Sequence, residues 1–401
     1  MSTEGPDPAS ALDPDDAAST AGPLRVTTLE LFFDLVFAFT LTQLTAILDT
    51  GLDLTAGGQV LLVFGLLWWM YEGYAWLTNA RPPVHTAERV LLLAGMAGFL
   101  VVGLAIPDGF GNDGVTLGLG YLVVVLVHAF LYYRVNANIV RVAPFNVASA
   151  LLVIAAGAAG GPARYLLWTA ALVIQLGSPL IVNPRNLFGL RPAHMVERHS
   201  ALLIVALGES VAAIGIGAAT RDGHAAGTPA ALTISSVLGL ALAAALWWVL
   251  FGGSDEERTE QVLTAASSER RTHLALTALF YGNVPVLLGL VAMAAGVQET
   301  IAHAGGPAGW DLSHGELADA VVLAAGAAAF LAGDVAIRRV LRTGPVAFRA
   351  AGAVLALATI GMGVTVGLGA QLVLLTAVLV AMLLTEQHRD APGPAQPGTA
   401  G

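Results

Sequence analysis

The segment TLELFFDLVFAFTLTQL, residues 28–44, is apolar and about as long as a membrane-spanning helix requires, yet it carries the polar side chains Glu30, Asp34 and Gln43. A charged side chain in the hydrocarbon region costs at least about 2.5–3.5 kcal/mol on insertion scales, so a membrane helix keeps one only where it faces protein, water or a partner. Glu30 and Asp34 are four residues apart and therefore share one helix face. The segment predicts a spanning helix with an acidic, inward-facing side.

The composition of the whole chain is that of a membrane protein. Of its 401 residues, 56% are hydrophobic and 11% are charged, and the mean hydropathy is +0.74. These values lie outside the usage of soluble globular domains. Segments of roughly 17–25 residues that could cross a hydrocarbon core of about 30 Å recur along the chain. They predict an all-α, polytopic membrane helical bundle of about 12 transmembrane helices, at residues 27–48, 57–80, 87–107, 115–134, 144–161, 164–183, 200–219, 229–252, 273–297, 316–337, 345–367 and 369–386.

The last two segments are separated by Gly-rich sequence alone, so the sequence leaves open whether they form one helix or two. Elsewhere, turn-forming residues separate the segments, as in PDGFGNDG at 107–114.

All 18 basic residues are arginine, and their positions predict the orientation of the helices. If both termini lie on the same side of the membrane, 16 arginines fall on that side and two, Arg164 and Arg221, fall on the other. Loops on the cytoplasmic side of membrane proteins carry the excess of positive charge. We therefore expect a multi-pass protein with both termini in the cytoplasm.

The two ends of the chain are predicted to be disordered cytoplasmic tails. Residues 1–23 are acidic and rich in Pro, Ala and Ser, so they cannot bury enough apolar surface to fold. They also lack the basic region that opens a secretory signal. Residues 387–401 have a similar composition.

Short matches between the two halves predict an internal duplication. Six spans form an even-numbered unit, so both copies would insert with the same orientation, as parallel repeats that are common in transporters. The expected repeats are residues 24–190 and 191–386. Ala, Leu and Val also coincide by chance in membrane sequences, but five matches occur in the same order: Asp34 with Glu209, Leu-Trp-Trp at 67–69 with 246–248, Ala-Phe-Leu at 129–131 with 329–331, Arg-x-x-Pro at 141–144 with 342–345, and Thr-Ala at 169–170 with 376–377.

The duplication makes Asp34 and Glu209 equivalent residues of the two repeats. If Arg25 and Arg198 mark the cytoplasmic boundary, Asp34 lies nine residues inside it and Glu209 eleven. At a rise of about 1.5 Å per residue, both acids would be roughly 13–17 Å deep, near the middle of the bilayer. We expect them to bind protons or cations. Alternatively, each acid is hydrogen-bonded by a neighbouring helix and stabilises the packing.

Glu30, Glu72 and His128 are further candidates for ion binding. Glu30 would act as a gate or pair with an arginine, and Arg198 could pair with Glu197 or Glu30. Glu72 lies near the cytoplasmic end of the second span, where it could instead belong to an interfacial aromatic belt. His128 is well inside the fourth span and could relay protons, because an unperturbed imidazole has a pKa of about 6.5. A neutral, hydrogen-bonded His128 is the alternative.

Several classes of chemistry find no support in the sequence. The chain has no cysteine, which excludes disulfides, thiol catalysis, iron–sulfur clusters and cysteine-bound zinc. His194 and His199 lack the spacing of a known metal motif, and no phosphate-binding loop or nucleophile triad is present. We therefore expect no enzyme activity, no cofactor and no metal. The net charge of −10 argues against nucleic acid. The expected partners are the lipid bilayer and a small solute, cation or proton, with a homo-oligomer left open.

Two segments, LELFFDLVFAFTLTQLT (29–45) and ERHSALLIVALGESVAAIG (197–215), resemble the signature segments of the low temperature requirement A family of bacterial integral membrane proteins. Two further segments share the resemblance, WWMYEGYAWLTNA (68–80) and HTAERVLLLAGMAGFL (85–100). The resemblance runs through essentially the whole chain and implies a location in the bacterial cytoplasmic membrane. The family is named for a cold-growth phenotype, so the resemblance implies support of growth at low temperature without defining an activity.

A second, shorter likeness concerns Phe33, Asp34, Val36 and Ala38. This pattern is similar to the Phe-Ser-Asp signature of potassium channels built from six-helix repeats, although Phe33 replaces the serine and Gly208-Glu209 departs from the signature in the second half. Three hypotheses result. The first is a secondary transporter that uses Asp34 and Glu209, the second is a cation channel, and the third is a non-transporting membrane protein that supports growth in the cold.

Overall fold

The computed structural model describes residues 25–49, 53–181, 189–219, 229–302 and 317–390. Within these ranges the chain forms helices and turns, with no β-strand. The helices are α1 (Thr28–Asp49), α2 (Leu54–Ala80), α3 (Thr86–Ala105), α4 (Gly114–Tyr133), α5 (Ala143–Ala158), α6 (Gly161–Ile181), α7 (Pro192–Ala219), α8 (Pro229–Phe251), α9 (Asp255–Ala265), α10 (Ser268–Ala302), α11 (Leu317–Leu341), α12 (Ala347–Thr365) and α13 (Leu368–Asp390).

The polytopic helical bundle expected from the sequence is confirmed. Each of the twelve predicted spans corresponds to one helix, namely α1 to α8 and α10 to α13. Ten spans in the described part of the chain are long and apolar enough to cross a membrane. The other two helices are α5, which is shorter, at 16 residues, and α6. The protein is thus a multi-pass membrane protein. One helix was not predicted: α9 has 11 residues, begins with three acids and lies between two spanning helices.

The last two spans are separate helices. Helix α12 ends at Thr365 and α13 begins at Leu368. Gly367 lies between them with φ 133°, a conformation that glycine adopts without the steric penalty of a Cβ. The predicted C-terminal tail begins too early, because α13 continues through residues 387–390. The predicted tail 1–23 and residues 391–401 lie outside the described residues.

The two halves of the bundle have the same pattern of helix neighbours. In the first half, α1 packs against α2 and α3, and α3 to α6 pack in sequence until α6 returns to α2. In the second half, α7 packs against α8 and α10, and α10 to α13 pack in sequence until α13 returns to α8. The halves meet where α1 contacts α7 and α10. The repeat boundaries stay a prediction, which this recurrence supports.

Glycines allow close approach of α10 and α11. A Cβ atom added to Gly326 would lie 2.8 Å from the backbone nitrogen of Met293 and 2.9 Å from the carbonyl oxygen of Gly289. Small residues at such contacts are typical of membrane helices, which associate largely through van der Waals packing.

Helix α10 is irregular where it meets the first half. A π-helical turn at Leu276–Tyr281 precedes Pro285, which has no backbone N–H to donate. The Trp68 indole Nε1 donates to the carbonyl oxygen of Phe280 at 3.1 Å. Trp68 therefore joins α2 to α10. Its predicted counterparts in the second half, Trp247 and Trp248, are about half exposed, so the two tryptophan pairs have different environments.

A small apolar cluster joins the helix ends on one side of the bundle. It contains Trp76 of α2, Met195 of α7, Leu263 of α9, Leu279 of α10 and Leu341 of α11. The end of α2, the starts of α7 and α10 and the end of α11 thus lie on one side. These are the ends that the arginine pattern assigns to the cytoplasm.

Gly326→Ala should lower the thermal unfolding temperature of the detergent-solubilised protein. The added methyl group overpacks the α10–α11 contact, which costs about 1–3 kcal/mol. The matched control is Gly361→Ala in α12, where nothing lies within 4 Å of an added Cβ. This control should unfold at the same temperature or higher, because alanine favours a helix over glycine by about 1 kcal/mol. Equal effects of the two changes would contradict the close contact.

Because the chain lacks cysteine, single cysteines can test its orientation. Asn112→Cys, between α3 and α4, should react with a membrane-impermeant maleimide on intact cells, and Gly253→Cys, between α8 and α9, should react after permeabilisation. Both positions are exposed. The opposite labelling pattern would show that the predicted orientation is inverted.

Candidate functional site

Charged side chains are buried together where α1, α2 and α7 meet. We call this group the Arg198 cluster, and it consists of Glu30, Asp34, Tyr71, Glu72, His194, Arg198 and His199. It brings together three of the predicted site residues, Glu30, Asp34 and Glu72.

Arg198 is the centre of the cluster. Its Nη1 lies 3.0 Å from Oε1 of Glu30, and its Nη2 lies 3.0 Å from Oδ1 of Asp34. Arg198 is 1% exposed and both acids are fully buried. Its guanidinium carbon is also 5.6 Å and 5.7 Å from the ring centroids of Phe33 and Tyr71, within cation–π range. The predicted pairing of Glu30 with Arg198 is confirmed.

The two acids of α1 have further donors. The backbone nitrogen and hydroxyl of Thr27 donate to Oε2 of Glu30 at 2.8 Å and 2.9 Å. The Tyr71 hydroxyl donates to Oδ1 of Asp34 at 2.9 Å. The second oxygen of Asp34, Oδ2, is buried and has no hydrogen-bond partner in the part of the chain that the structure describes.

The partners of His194 assign it a neutral state. The Oδ1 atom of Asn79 accepts from the backbone nitrogen of Arg191 at 2.9 Å, which fixes the orientation of the amide. The Nδ2 atom of Asn79 therefore faces Nδ1 of His194 as a donor, at 3.3 Å. The remaining ring nitrogen, Nε2, lies 3.2 Å from Oε1 of Glu30 and carries the proton.

Together, His199 and Glu72 carry one more proton than a neutral imidazole and an ionised carboxylate would carry. The Nδ1 atom of His199 lies 2.8 Å from the Met195 carbonyl oxygen, so it carries a hydrogen. Its Nε2 atom lies 2.8 Å from Oε1 of Glu72. That contact is a hydrogen bond only if His199 is an imidazolium or Glu72 is protonated. Glu72 is 2% exposed, so it belongs to the interior rather than to an interfacial aromatic belt.

Glu209 lies outside the Arg198 cluster. Its Oε2 accepts a hydrogen bond from the hydroxyl of Thr42. Arg198 meets Asp34 and Glu209 meets Thr42, so α1 and α7 run side by side in the same direction. Thr42 is eight residues beyond Asp34, so Glu209 lies about 12 Å farther along the pair of helices.

The prediction that Asp34 and Glu209 lie at equal depth is wrong. It treated Arg198 as a residue of the membrane boundary, whereas Arg198 is buried and α7 already begins at Pro192. The two acids line the same helix pair, but at different heights.

His128 has a separate environment. It is 5% exposed on α4, and its ring centroid lies 5.2 Å from that of Tyr74 and 5.5 Å from that of Tyr132. A Cβ on Gly73 would be 2.9 Å from its Nε2. Its ring neighbours are thus aromatic side chains rather than the carboxyl groups of the Arg198 cluster.

A second charged cluster joins the helix ends of the other half. Arg349 of α12 lies 2.8 Å from Asp334 of α11 and 3.2 Å from Glu386 of α13, and it donates to the carbonyl oxygen of Val249 in α8 at 2.9 Å. Arg338 of α11 pairs with Asp255 of α9. These pairs were not predicted, although Arg349 and Glu386 lie within predicted apolar spans, where a charged side chain indicates a buried partner.

The family profile for the bacterial low temperature requirement A protein matches residues 25–384, which include the whole Arg198 cluster. The chain belongs to the low temperature requirement A family. It is also similar to an uncharacterized protein of Rhizobium meliloti (strain 1021), at 24% identity over 290 residues that cover 68% of this chain and 69% of the relative. The family resemblance of the four sequence segments is thereby confirmed.

In this low temperature requirement A protein, Arg198→Met should destabilise the fold by about 3–5 kcal/mol, because it leaves buried carboxylates without their counter-charge. Thermal unfolding in detergent measures the effect. Arg134→Met, at an exposed position, is the matched control. Adding Glu30→Gln and Asp34→Asn to Arg198→Met should restore part of the lost stability. If the triple variant were less stable than Arg198→Met, unpaired buried carboxylates would not be the cause of the lost stability.

Proposed function

We propose that the chain is a secondary transporter in which the Arg198 cluster takes up a proton or a cation. The observation that carries the proposal is that the negative charges of this buried group outnumber its positive charges. The carboxylates of Glu30 and Asp34 share the single guanidinium of Arg198. With the additional proton described above, the net charge of the Glu72 and His199 pair is zero, and His194 is neutral. One negative charge is left in excess.

An excess charge in a buried site favours binding of a positive one. An unpaired ion inside a protein costs several kcal/mol, so a proton or cation that neutralises the cluster is stabilised there. The unpartnered Oδ2 of Asp34 is the atom that we expect to bind it. The charged and titratable groups that face Asp34 are Glu30 on its own helix, Tyr71 on α2, and Arg198 and His199 on α7.

The position of the cluster suits alternating access. Its acids belong to the first predicted repeat, and Arg198, His194 and His199 belong to the second. A rocking motion between the halves would therefore change these ion pairs, which couples occupancy of the cluster to conformation. The recurring helix neighbours support the duplication on which this part of the proposal depends.

Two alternatives have their own signatures. A cation channel would give unitary currents in planar bilayers, because a channel opens a continuous path. A non-transporting protein would use the Arg198 cluster to stabilise packing and would support growth in the cold by another route. The pairing of Arg198 with both Glu30 and Asp34 is the observation that favours this second alternative.

Proton flux into proteoliposomes tests the proposal. Vesicles that contain the purified protein and the pH indicator pyranine are given a K⁺ or Na⁺ gradient, and the rate of internal pH change is recorded. Asp34→Asn should slow the coupled flux by roughly 10-fold or more, because the amide cannot be protonated and leaves the cluster without its excess charge. Glu209→Gln should slow it as well. Glu260→Gln, an exposed carboxylate on α9, should leave the rate unchanged.

A coupled flux that Asp34→Asn leaves intact would overturn the role of the Arg198 cluster. Unitary currents from the wild-type protein would identify a channel. Vesicles that remain impermeable, together with loss of cold growth in Asp34→Asn cells that hold normal amounts of the protein, would support the non-transporting alternative.

A further inference from the structure

The contact between α1 and α7 has three zones along its length. The first is charged and contains Glu30 and Asp34 of α1 and Arg198 of α7. The third is polar and contains Thr42 and Glu209, which are hydrogen-bonded to each other. The second zone lies between them.

Apolar residues form this middle zone. Ala38 is four residues from both Asp34 and Thr42, so it lies on the same face of α1. On α7, Leu202 and Ala206 follow Arg198 at the same spacing and precede Glu209. Ala38 is 7% exposed, and Leu202 and Ala206 are fully buried. About 12 Å of helix thus separates the two acidic positions, with apolar side chains between them.

Glu209 has the surroundings of a proton-binding group. It is 7% exposed, and its Oε1 has no hydrogen-bond partner among the described residues. The neighbouring Ser210 hydroxyl is also buried and has no hydrogen-bond partner within the described ranges. The side-chain oxygens of Thr42, Glu209 and Ser210 are fewer than the six or more ligands that Ca²⁺ or Mg²⁺ takes in proteins.

We infer that Glu209 is a second proton-binding site, separated from the Arg198 cluster by an apolar barrier of Ala38, Leu202 and Ala206. This inference rests on the proposed transport of protons. In the transfer, the O–H bond on Asp34 breaks and an O–H bond on Glu209 forms. Asp34 is left as a carboxylate beside Arg198, and the carboxylate of Glu209 becomes neutral, so one positive charge moves along the contact. Because the two acids are about 12 Å apart, water molecules that enter the barrier relay the proton.

The barrier explains how such a pathway can avoid a leak. Apolar constrictions block ions because water does not fill them, and conduction begins when they become hydrated. Leu202 has the largest side chain of the three barrier residues. Transfer between the two sites would therefore require α1 and α7 to separate near Leu202, which is the motion expected of two rocking halves.

Leu202→Asn should convert the protein into a passive proton leak. The amide hydrates the barrier, so proton entry into pyranine-loaded proteoliposomes under a K⁺ diffusion potential set by valinomycin should rise by roughly 10-fold or more. Ile204→Asn places the same side chain on the same helix at a position that is 52% exposed, and it should leave the vesicles tight. Ala206→Ser is a milder second variant that should leak to a smaller extent.

The double variant Leu202→Asn with Glu209→Gln tests whether the leak uses Glu209. It should return the leak to the wild-type rate while entrapped carboxyfluorescein is retained in all samples, which excludes general vesicle damage. No leak in either Leu202→Asn or Ala206→Ser, an equal leak in Ile204→Asn, or a leak that persists without Glu209 would each overturn the inference. The leak measurements are independent of the coupled-flux measurement on Asp34→Asn. An inference about the barrier that fails can therefore be distinguished from a transporter proposal that fails.

Discussion

The guanidinium of Arg198 lies between the carboxylates of Glu30 and Asp34 in the interior of a bundle that is otherwise mostly apolar. Attraction between these charges must offset the cost of removing all three from water, which requires short distances and further donors. Thr27 and Tyr71 provide such donors to the acids. Thr27 directly precedes α1, Tyr71 belongs to α2 and the guanidinium belongs to α7, so the relative positions of these three helices depend on one another.

The charges of the bundle are distributed unevenly. The second charged cluster, around Arg349, lies at the ends of α8, α11, α12 and α13, and α9 is attached to it through Asp255. The apolar cluster of Trp76, Met195, Leu263, Leu279 and Leu341 contacts the helix ends on that side. Deeper in the bundle, packing depends on small residues, as at Gly326.

Hydropathy alone was sufficient to predict the spanning helices, since a stretch that crosses hydrocarbon must be apolar whatever its neighbours are. The acidic face of α1 also followed from the sequence, and so did Glu30 as a possible partner of Arg198, because a buried acid needs a cation. The pairing of Asp34 with Arg198 was not predicted. The depth of Glu209 did not, because an arginine near a helix start can lie at the surface or be buried with partners. Helix α9 is polar and carries no hydropathy signal, and the pairing of Arg349 with Glu386 depends on which helices become neighbours.

The separation of Asp34 and Arg198 along the chain has a consequence for biosynthesis. The two residues are 164 positions apart. At ribosomal rates of about 5–20 residues per second, α1 is made roughly 8–30 s before the arginine that will neutralise it. During that interval its two carboxyl groups must be protonated, remain at the translocon or face water. Release of α1 into lipid is therefore tied to the arrival of α7, and a chain truncated before Arg198 would carry an unmatched acidic helix.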